Sequence, residues 1–230
     1  MIACVLYPGI TALDLVGPLQ VLTELSRLQP RFRVVVVADR TTPMLTDSAL
    51  TVTASHRFDD ISQPDIVLVP GGGPPTLTAM TDPRLLAYLR QAASSATVVS
   101  SVCTGALILG AAGLLAGRRA TTHWMFHHLL PAFDAEPVDA RWVEDGPVLT
   151  SAGVSAGIDM ALRLTCRLAG RATASQVQRM LEYDPDPPQL GPLDWDGIDV
   201  AAARAAFRQT LNDTLAGAPD LRHRMLAASS

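Results

Sequence analysis

Cys103 has the surroundings that best suit a nucleophile. It follows the apolar run Thr97–Val102 and precedes the small residues Gly105 and Ala106, so a buried strand should end here and a helix should begin at once. Such a turn holds a nucleophile in a constrained backbone conformation above the edge of a sheet. The N–H groups of the helix should lower the pKa of the thiol and can hold a developing anion. The alternative is that Cys103 is an ordinary small, buried residue at the end of a strand.

A glycine-rich turn follows a second apolar run. Gly71, Gly72 and Gly73 come after Ile66–Val69, at the carboxyl end of a predicted strand, where ligands of open α/β sheets bind. The order of residues matches neither a GxGxxG motif nor a Walker motif, which disfavours a nucleotide cofactor. Glycine-rich loops are also common simply as turns, so this turn alone predicts little.

Asp14 allows two interpretations. An aspartate in front of an apolar helix is usually a cap. If the first strand lies near the Cys103 strand, however, the Asp14 carboxyl projects over the same edge of the sheet and can exchange protons with a substrate. The sequence leaves both interpretations open.

His123 is a possible partner of the thiol. Histidines beside aromatic residues often fix loops by hydrogen bonding, and no acidic residue follows His123 at a spacing that would orient it, so a structural role is favoured. The other two cysteines, Cys4 and Cys166, lie within apolar segments and are predicted to be core residues. No CxxC pair or HExxH motif predicts a metal site.

The elements that would position these residues alternate between strand and helix along the chain. The apolar runs predict strands at Ile2–Leu6, Phe32–Ala38, Ile66–Val69, Thr97–Val102 and Val148–Ser151. Helical spacing predicts helices at Leu15–Leu28, Pro83–Ser94, Thr104–Ala112, Ala156–Leu168 and Ala174–Leu181. This alternation predicts an α/β fold with a parallel sheet.

Several local features refine this scheme. Pro18 and Pro83 are each predicted to lie in the first turn of a helix, where a missing N–H is tolerated. The stretch Asp47–Thr53 predicts a short strand or hairpin beside the main sheet, and His56–Asp60 a polar loop after it. The prolines after Tyr183 cannot continue a helix.

Length and composition limit the class of protein. The chain has 230 residues, of which 48% are hydrophobic and 17% charged, with a net charge of −4. These values predict one domain. Because the prolines after Tyr183 end the core, we expect a catalytic domain at 1–183 and an extension at 184–230, with one or two helices that pack on the core or on a second subunit. Without a basic surface or a long apolar segment, we expect no nucleic-acid partner and no membrane span. The N-terminus lacks the features of a secretory signal, and the unpaired cysteines favour the cytoplasm.

Five motifs together resemble the ThiJ/PfpI superfamily, a branch of the class I glutamine amidotransferase-like fold. The resemblance covers about Met1–Tyr183, and the most similar subgroup is the isonitrile (isocyanide) hydratases. The motifs are Leu13–Pro18, Pro70–Gly72, Ser101–Gly105, Ala120–Trp124 and Gly153–Asp159.

The resemblance implies a flavodoxin-like sandwich with helices on both faces of the sheet, a nucleophile elbow and a homodimer. It implies that Cys103 is the nucleophile and that Asp14 contacts it. Thr104 stands where peptidase-like members have histidine, which argues against proteolysis and suggests that its hydroxyl positions the sulfur or a water. The implied reaction hydrates an isonitrile, a small molecule, to an N-substituted formamide through a Cys103 thioimidate, with Asp14 as acid and base and without metal or cofactor.

The chain departs from the hydratase pattern at Pro74 and Pro75, which have no N–H to donate. If the anion site uses donors from this loop, they must come from Gly72 and Gly73. Three other functions remain open: a glyoxalase- or deglycase-like activity, a redox-sensing thiol, and a ligand-sensing domain related to AraC-type regulators. Against the last, the segment after Tyr183 is short and proline-rich for two helix-turn-helix units.

Overall fold

The computed structural model describes residues 1–186 and 198–229. The strands are β1 (Ile2–Val5), β2 (Val34–Ala38), β3 (Met44–Leu45), β4 (Thr51–Val52), β5 (His56–Arg57), β6 (Ile66–Val69), β7 (Val98–Val102), β8 (Arg119–Ala120), β9 (Glu136–Pro137), β10 (Trp142–Asp145) and β11 (Val148–Ser151). The helices are α1 (Ala12–Leu28), α2 (Pro75–Ala79), α3 (Pro83–Ala93), α4 (Gly105–Ala111), α5 (Ala156–Met180), α6 (Val200–Thr214) and α7 (Pro219–Ala228). Two 3₁₀ segments, Phe58–Ile61 and Trp124–Phe133, complete the described elements.

A mostly parallel sheet flanked by helices forms the centre of the molecule, which confirms the predicted α/β, flavodoxin-like fold. Within the described residues its strand order is β10-β11-β7-β6-β1-β2-β5, and only β10 runs antiparallel to its neighbour. Every residue of β1, β6, β7 and β11 is buried, as expected for strands covered on both faces.

The connections bring the candidate residues to one place. From β1 the chain passes to β2 on one side and then to β6 on the other, so the strand order reverses between β1 and β6. Open α/β sheets bind ligands in the crevice at such a switch point, just beyond the carboxyl ends of the strands. The loops that follow β1, β6 and β7 meet at this crevice.

Some predicted boundaries were wrong. Helix α1 begins at Ala12, so Pro18 lies inside the helix and not in its first turn. The predicted polar loop at His56–Asp60 instead contains edge strand β5 and the start of a 3₁₀ segment, because Ser55 hydrogen-bonds to both the N–H and the C=O of Val36 in β2. The hairpin near Asp47 spans β3 and β4, which pair outside the main sheet.

The two helices predicted between residues 156 and 181 form one element, α5, with a break at Gly170. There φ is 83° and ψ is 163°, a conformation that glycine adopts readily. Of the two cysteines predicted to be core residues, Cys4 is fully buried, whereas Cys166 in α5 is only partly buried.

Two described helices, α6 and α7, lie in the predicted extension, of which residues 187–197 and 230 lie outside the described residues. Leu211 of α6 and Met225 of α7 are fully buried, and the Phe207 ring lies 4.6 Å from that of Phe126. These contacts attach the extension to the 3₁₀ segment at Trp124–Phe133. Among the described helices, none combines the length and apolarity needed to cross a membrane.

Candidate active site

Cys103 occupies a sharp turn between β7 and α4 in a left-handed backbone conformation, with φ of 56°. Its N–H lies within hydrogen-bonding distance of the Ser151 and Ala152 carbonyls, at 3.2 and 3.3 Å, and its own carbonyl accepts from the Thr122 hydroxyl at 2.8 Å. A non-glycine residue in this region costs about 1–3 kcal/mol and persists only where its surroundings enforce it. The turn therefore has the strained geometry of a nucleophile elbow, and Cys103 is 5% exposed.

Asp14 is the third residue of α1, and its side chain does not cap the helix. The carboxyl is fully buried, and Oδ2 accepts a hydrogen bond from the Gly71 N–H at 3.0 Å. Asp47 supplies the capping acceptor instead, since its Oδ1 accepts from the Ala12 N–H at 2.9 Å. The second Asp14 oxygen, Oδ1, is buried without a hydrogen-bond partner among the described residues, so it is the oxygen available for proton transfer.

Gly71 lets the parts of the site come together. Strand β6 separates β1 from β7, so Asp14 and Thr104 approach each other across the start of the glycine-rich loop. A Cβ atom on Gly71 would lie 2.5 Å from Thr104 Oγ1, 2.6 Å from its N and 2.9 Å from Asp14 Oδ2. Only glycine fits between these groups.

A chain of hydroxyl groups leads away from Thr104. The Gly72 N–H donates to Thr104 Oγ1 at 3.0 Å, and Thr104 Oγ1 lies 2.8 Å from Thr76 Oγ1. The Tyr7 hydroxyl lies 3.4 Å from Thr76 Oγ1 and donates to the Pro70 carbonyl at 3.1 Å. All three hydroxyl groups are buried, so this chain fixes the position of Thr104 beside the thiol.

Burial controls the charges of the thiol and the carboxyl. It raises the pKa of Asp14 from 3.8 to about 7, against the opposing effects of the Gly71 N–H and of the Cys103 thiol. Burial also raises the pKa of the Cys103 thiol well above its usual range, and the Asp14 charge raises it further. The contact between the two side chains lowers the pKa of the Asp14 carboxyl and raises that of the Cys103 thiol.

The expected lowering of the thiol pKa was therefore wrong. The Thr104 N–H does favour the thiolate, as expected at the start of a helix, but desolvation outweighs it. At neutral pH the site holds a thiol beside a carboxyl that is about half ionised. A thiol in this state needs a base to become nucleophilic, and Asp14 is the ionisable group whose charge acts on it.

The predicted anion donors differ in their availability. The Gly72 N–H is already bonded to Thr104, whereas Gly73, with φ of 38° and partial exposure, has an N–H without a partner among the described residues. Gly73 is thus the donor of this loop that remains free for a ligand.

His123 makes its hydrogen bond outside the pair. Its Nδ1 accepts from the Met125 N–H at 3.4 Å, and its ring packs against Gly153. Burial lowers its pKa, with a further contribution from His127. No hydrogen bond links it to Cys103, Asp14 or Thr104.

Sequence reasoning missed four residues that shape the site: Tyr7, Gly71, Thr76 and Thr122. Gly71 and Thr122 lie in motifs that were noted, but the pattern does not reveal which glycine must be small or which hydroxyl braces the elbow. Tyr7 and Thr76 carry no local signal, because their roles depend on contacts across the sheet. Among the described residues, no three His, Cys, Asp or Glu side chains are grouped as metal ligands would be.

Comparison with known proteins gives consistent matches. The family model described as "DJ-1/PfpI family" matches residues 1–166. A Pseudomonas putida protein named isonitrile hydratase is 44% identical over 190 residues, which cover 81% of this chain and 80% of that protein. The transcriptional regulator CdhR of Pseudomonas aeruginosa is 30% identical over 75% of this chain but only 52% of its own length.

A solved structure agrees with these sequence matches. A crystal structure of a ThiJ/PfpI family protein from Pseudomonas syringae superimposes with a TM-score of 0.80 and 33% identity, over 100% of this chain and 90% of that one. The chain belongs to the DJ-1/PfpI family.

Proposed function

We propose that the protein is an isonitrile hydratase, which adds water to an isonitrile to give an N-substituted formamide. The observation that carries this proposal is the buried Asp14 carboxyl beside the Cys103 thiol, with a pKa of about 7 and one oxygen free. The similarity to the Pseudomonas putida isonitrile hydratase supports the choice of substrate class.

The first half of the proposed reaction forms a bond between Cys103 and the substrate. Asp14 takes the thiol proton as the sulfur attacks the terminal carbon of the isonitrile, and then delivers that proton to the same carbon. The product is a thioimidate, with the former isonitrile carbon bonded to sulfur, hydrogen and nitrogen. The Thr104 N–H stabilises the negative charge on the sulfur as the proton leaves.

The second half adds water and restores the enzyme. Asp14, again a carboxylate, removes a proton from a water that attacks the thioimidate carbon, and passes that proton to the nitrogen. The tetrahedral intermediate loses its hydroxyl proton as the C–S bond breaks, and the sulfur leaves with a proton returned through Asp14. One isonitrile and one water thus give one formamide, and the Gly73 N–H is the proposed donor to the oxygen.

The pKa of Asp14 suits this alternation. A group that must both accept and donate a proton works best when its pKa lies near the operating pH. A fully exposed aspartate would be a weak base toward a thiol, whereas burial makes Asp14 a stronger one.

The thiol pKa weighs against the alternative of a redox sensor. Oxidation of cysteine follows its thiolate fraction, and burial together with Asp14 keeps the Cys103 sulfur protonated at rest. A glyoxalase- or deglycase-like activity would use the same residues, so only a substrate test separates it from hydration.

We also propose that the protein acts as a homodimer joined through α1. Leu13 and Val16 flank Asp14 in sequence but are 45% and 40% exposed, and Leu45 of the nearby hairpin is 71% exposed. A second subunit on this surface would cover apolar area beside the site. Light scattering should give a dimer for the native chain and a monomer for Leu13→Glu/Val16→Glu; a monomeric native chain would refute this.

The decisive experiment incubates the purified protein with p-nitrophenyl or cyclohexyl isocyanide and follows the formamide. We expect turnover by the native chain, none by Cys103→Ala, and a loss of at least about 100-fold in Asp14→Asn, the minimum usual for a general acid or base. Full turnover by Cys103→Ala would exclude the thioimidate route. Inactivity of the native chain on isonitriles, with activity on methylglyoxal, would assign the site to the alternative reaction.

A further inference from the structure

A cavity of about 190 Å³ lies beside the candidate active site but is not part of it. It is found at the carboxyl ends of β1 and β2, and neither Cys103, Asp14 nor Thr104 lines it. The buried part of its wall is apolar or aromatic and consists of Leu6, Tyr7, Met44, Phe58, Ala79 and Leu85. The proposed reaction does not use this space.

The size and lining of the cavity define its ligand. A dry apolar cavity of about 150 Å³ is known to bind benzene, so this cavity can hold one six-membered ring with a small substituent. The acidic groups at its rim already have partners: Asp39 accepts from Arg84 Nε at 2.9 Å, and Asp82 caps α3 through the N–H groups of Arg84 and Leu85. Arg40, also at the rim, has no acidic partner among the described residues and is free to donate to the substituent.

Tyr7 connects the cavity to Cys103. Its ring lines the cavity, and its only hydroxyl proton goes to the Pro70 carbonyl, which cannot donate in return. The Tyr7 oxygen can therefore only accept from Thr76, so Thr76 in turn accepts from Thr104. In this order the Thr104 hydroxyl points its proton at Thr76 and away from the Cys103 sulfur.

We propose that the cavity binds a neutral monocyclic molecule with one hydrogen-bond acceptor, and that its occupancy changes the reactivity of Cys103 through Tyr7. A ring that packs against Tyr7 displaces the Tyr7 side chain, so that its hydroxyl oxygen moves away from Thr76 Oγ1. These two oxygens are already 3.4 Å apart. Thr76 then donates to Thr104, and Thr104 turns its proton to the sulfur. One added hydrogen bond to the thiolate corresponds to an increase of about two- to tenfold in thiolate population.

The test uses benzamide as the ligand and alkylation of Cys103 by iodoacetamide as the readout, so it requires no isonitrile turnover. Calorimetry should show benzamide binding to the native chain and to the chain with Cys103 already alkylated. Binding should be lost in Thr78→Phe, which places a ring at the mouth of the cavity from an exposed position. Benzamide should raise the alkylation rate of the native chain by about two- to tenfold.

The Tyr7→Phe variant tests the effect of Tyr7 on Cys103 separately from ligand binding in the cavity. This variant keeps the ring that lines the cavity but removes the oxygen that Thr76 needs, so its alkylation should already be fast and should not respond to benzamide. Absence of binding to the native chain, or unchanged binding in Thr78→Phe, would overturn the site. Binding without a change in alkylation rate, or a response that persists in Tyr7→Phe, would overturn the role of Tyr7. All these outcomes are independent of whether isonitriles are hydrated.

Discussion

Replacing Asp14 with asparagine should make the folded protein increasingly stable relative to the wild type as the pH rises. Burial raises the pKa of Asp14 from 3.8 to about 7, so the folded state binds this proton more tightly than the unfolded state. The stability due to the bound proton is complete below about pH 4 and is lost as the pH rises through 7. At about 1.4 kcal/mol per pKa unit, the wild type has lost about 2 kcal/mol at pH 5 and about 4 kcal/mol at pH 8.

Asparagine avoids this loss because it carries no charge at any of these pH values. Its carbonyl can still accept from the Gly71 N–H, but its NH₂ group takes the place of Oδ1, which has no partner among the described residues. An unpaired buried donor costs about 1–3 kcal/mol at every pH. This cost lowers the stability of Asp14→Asn relative to the wild type by the same amount at every pH. The increase of about 2 kcal/mol in that relative stability between pH 5 and pH 8 therefore remains.

Urea unfolding of the wild type and of Asp14→Asn between pH 5 and pH 8 measures this growth directly. Asp220→Asn, at an exposed carboxyl in the first turn of α7, is the matched control and should show no comparable trend. A constant offset between Asp14→Asn and the wild type, or one that shrinks as the pH rises, would show that Asp14 is not held in a buried site with a raised pKa.

The site makes three further predictions. Gly71→Ala should lower isonitrile turnover by about 100-fold, because its methyl carbon would lie 2.5 Å from the hydroxyl of Thr104. Gly217→Ala has open space around it and should keep full activity. Equal activities of the two variants would contradict the packing argument. Wild-type turnover should rise with pH through about 7 as Asp14 ionises, and a flat profile would exclude it as the base. Thr76→Val should speed alkylation of Cys103 by about two- to tenfold and Thr76→Ser should not; similar rates in both variants would exclude the hydroxyl order inferred above.

Local patterns in the sequence were enough to predict the sheet and the elbow. Unbroken apolar runs occur where strands are covered on both faces, and the change from the run before Cys103 to small residues after it marks the turn into α4. Both signals lie within a few neighbouring residues, so they can be recognised in the sequence without knowledge of tertiary contacts. The start of α1 was misplaced because its cap, Asp47, lies in a separate hairpin.

The role of Asp14 depended on the tertiary structure. Whether it caps a helix or faces the thiol is decided by Gly71, which is 57 residues away in the chain and leaves just enough space for the carboxyl. The pKa of Cys103 likewise depends on burial, a property of the whole fold, which outweighs the local effect of the helix N-terminus. The sequence alone determined where the thiol stands, and the packing of three loops around it decided that the thiol is protonated and that the buried Asp14 carboxyl lies beside it.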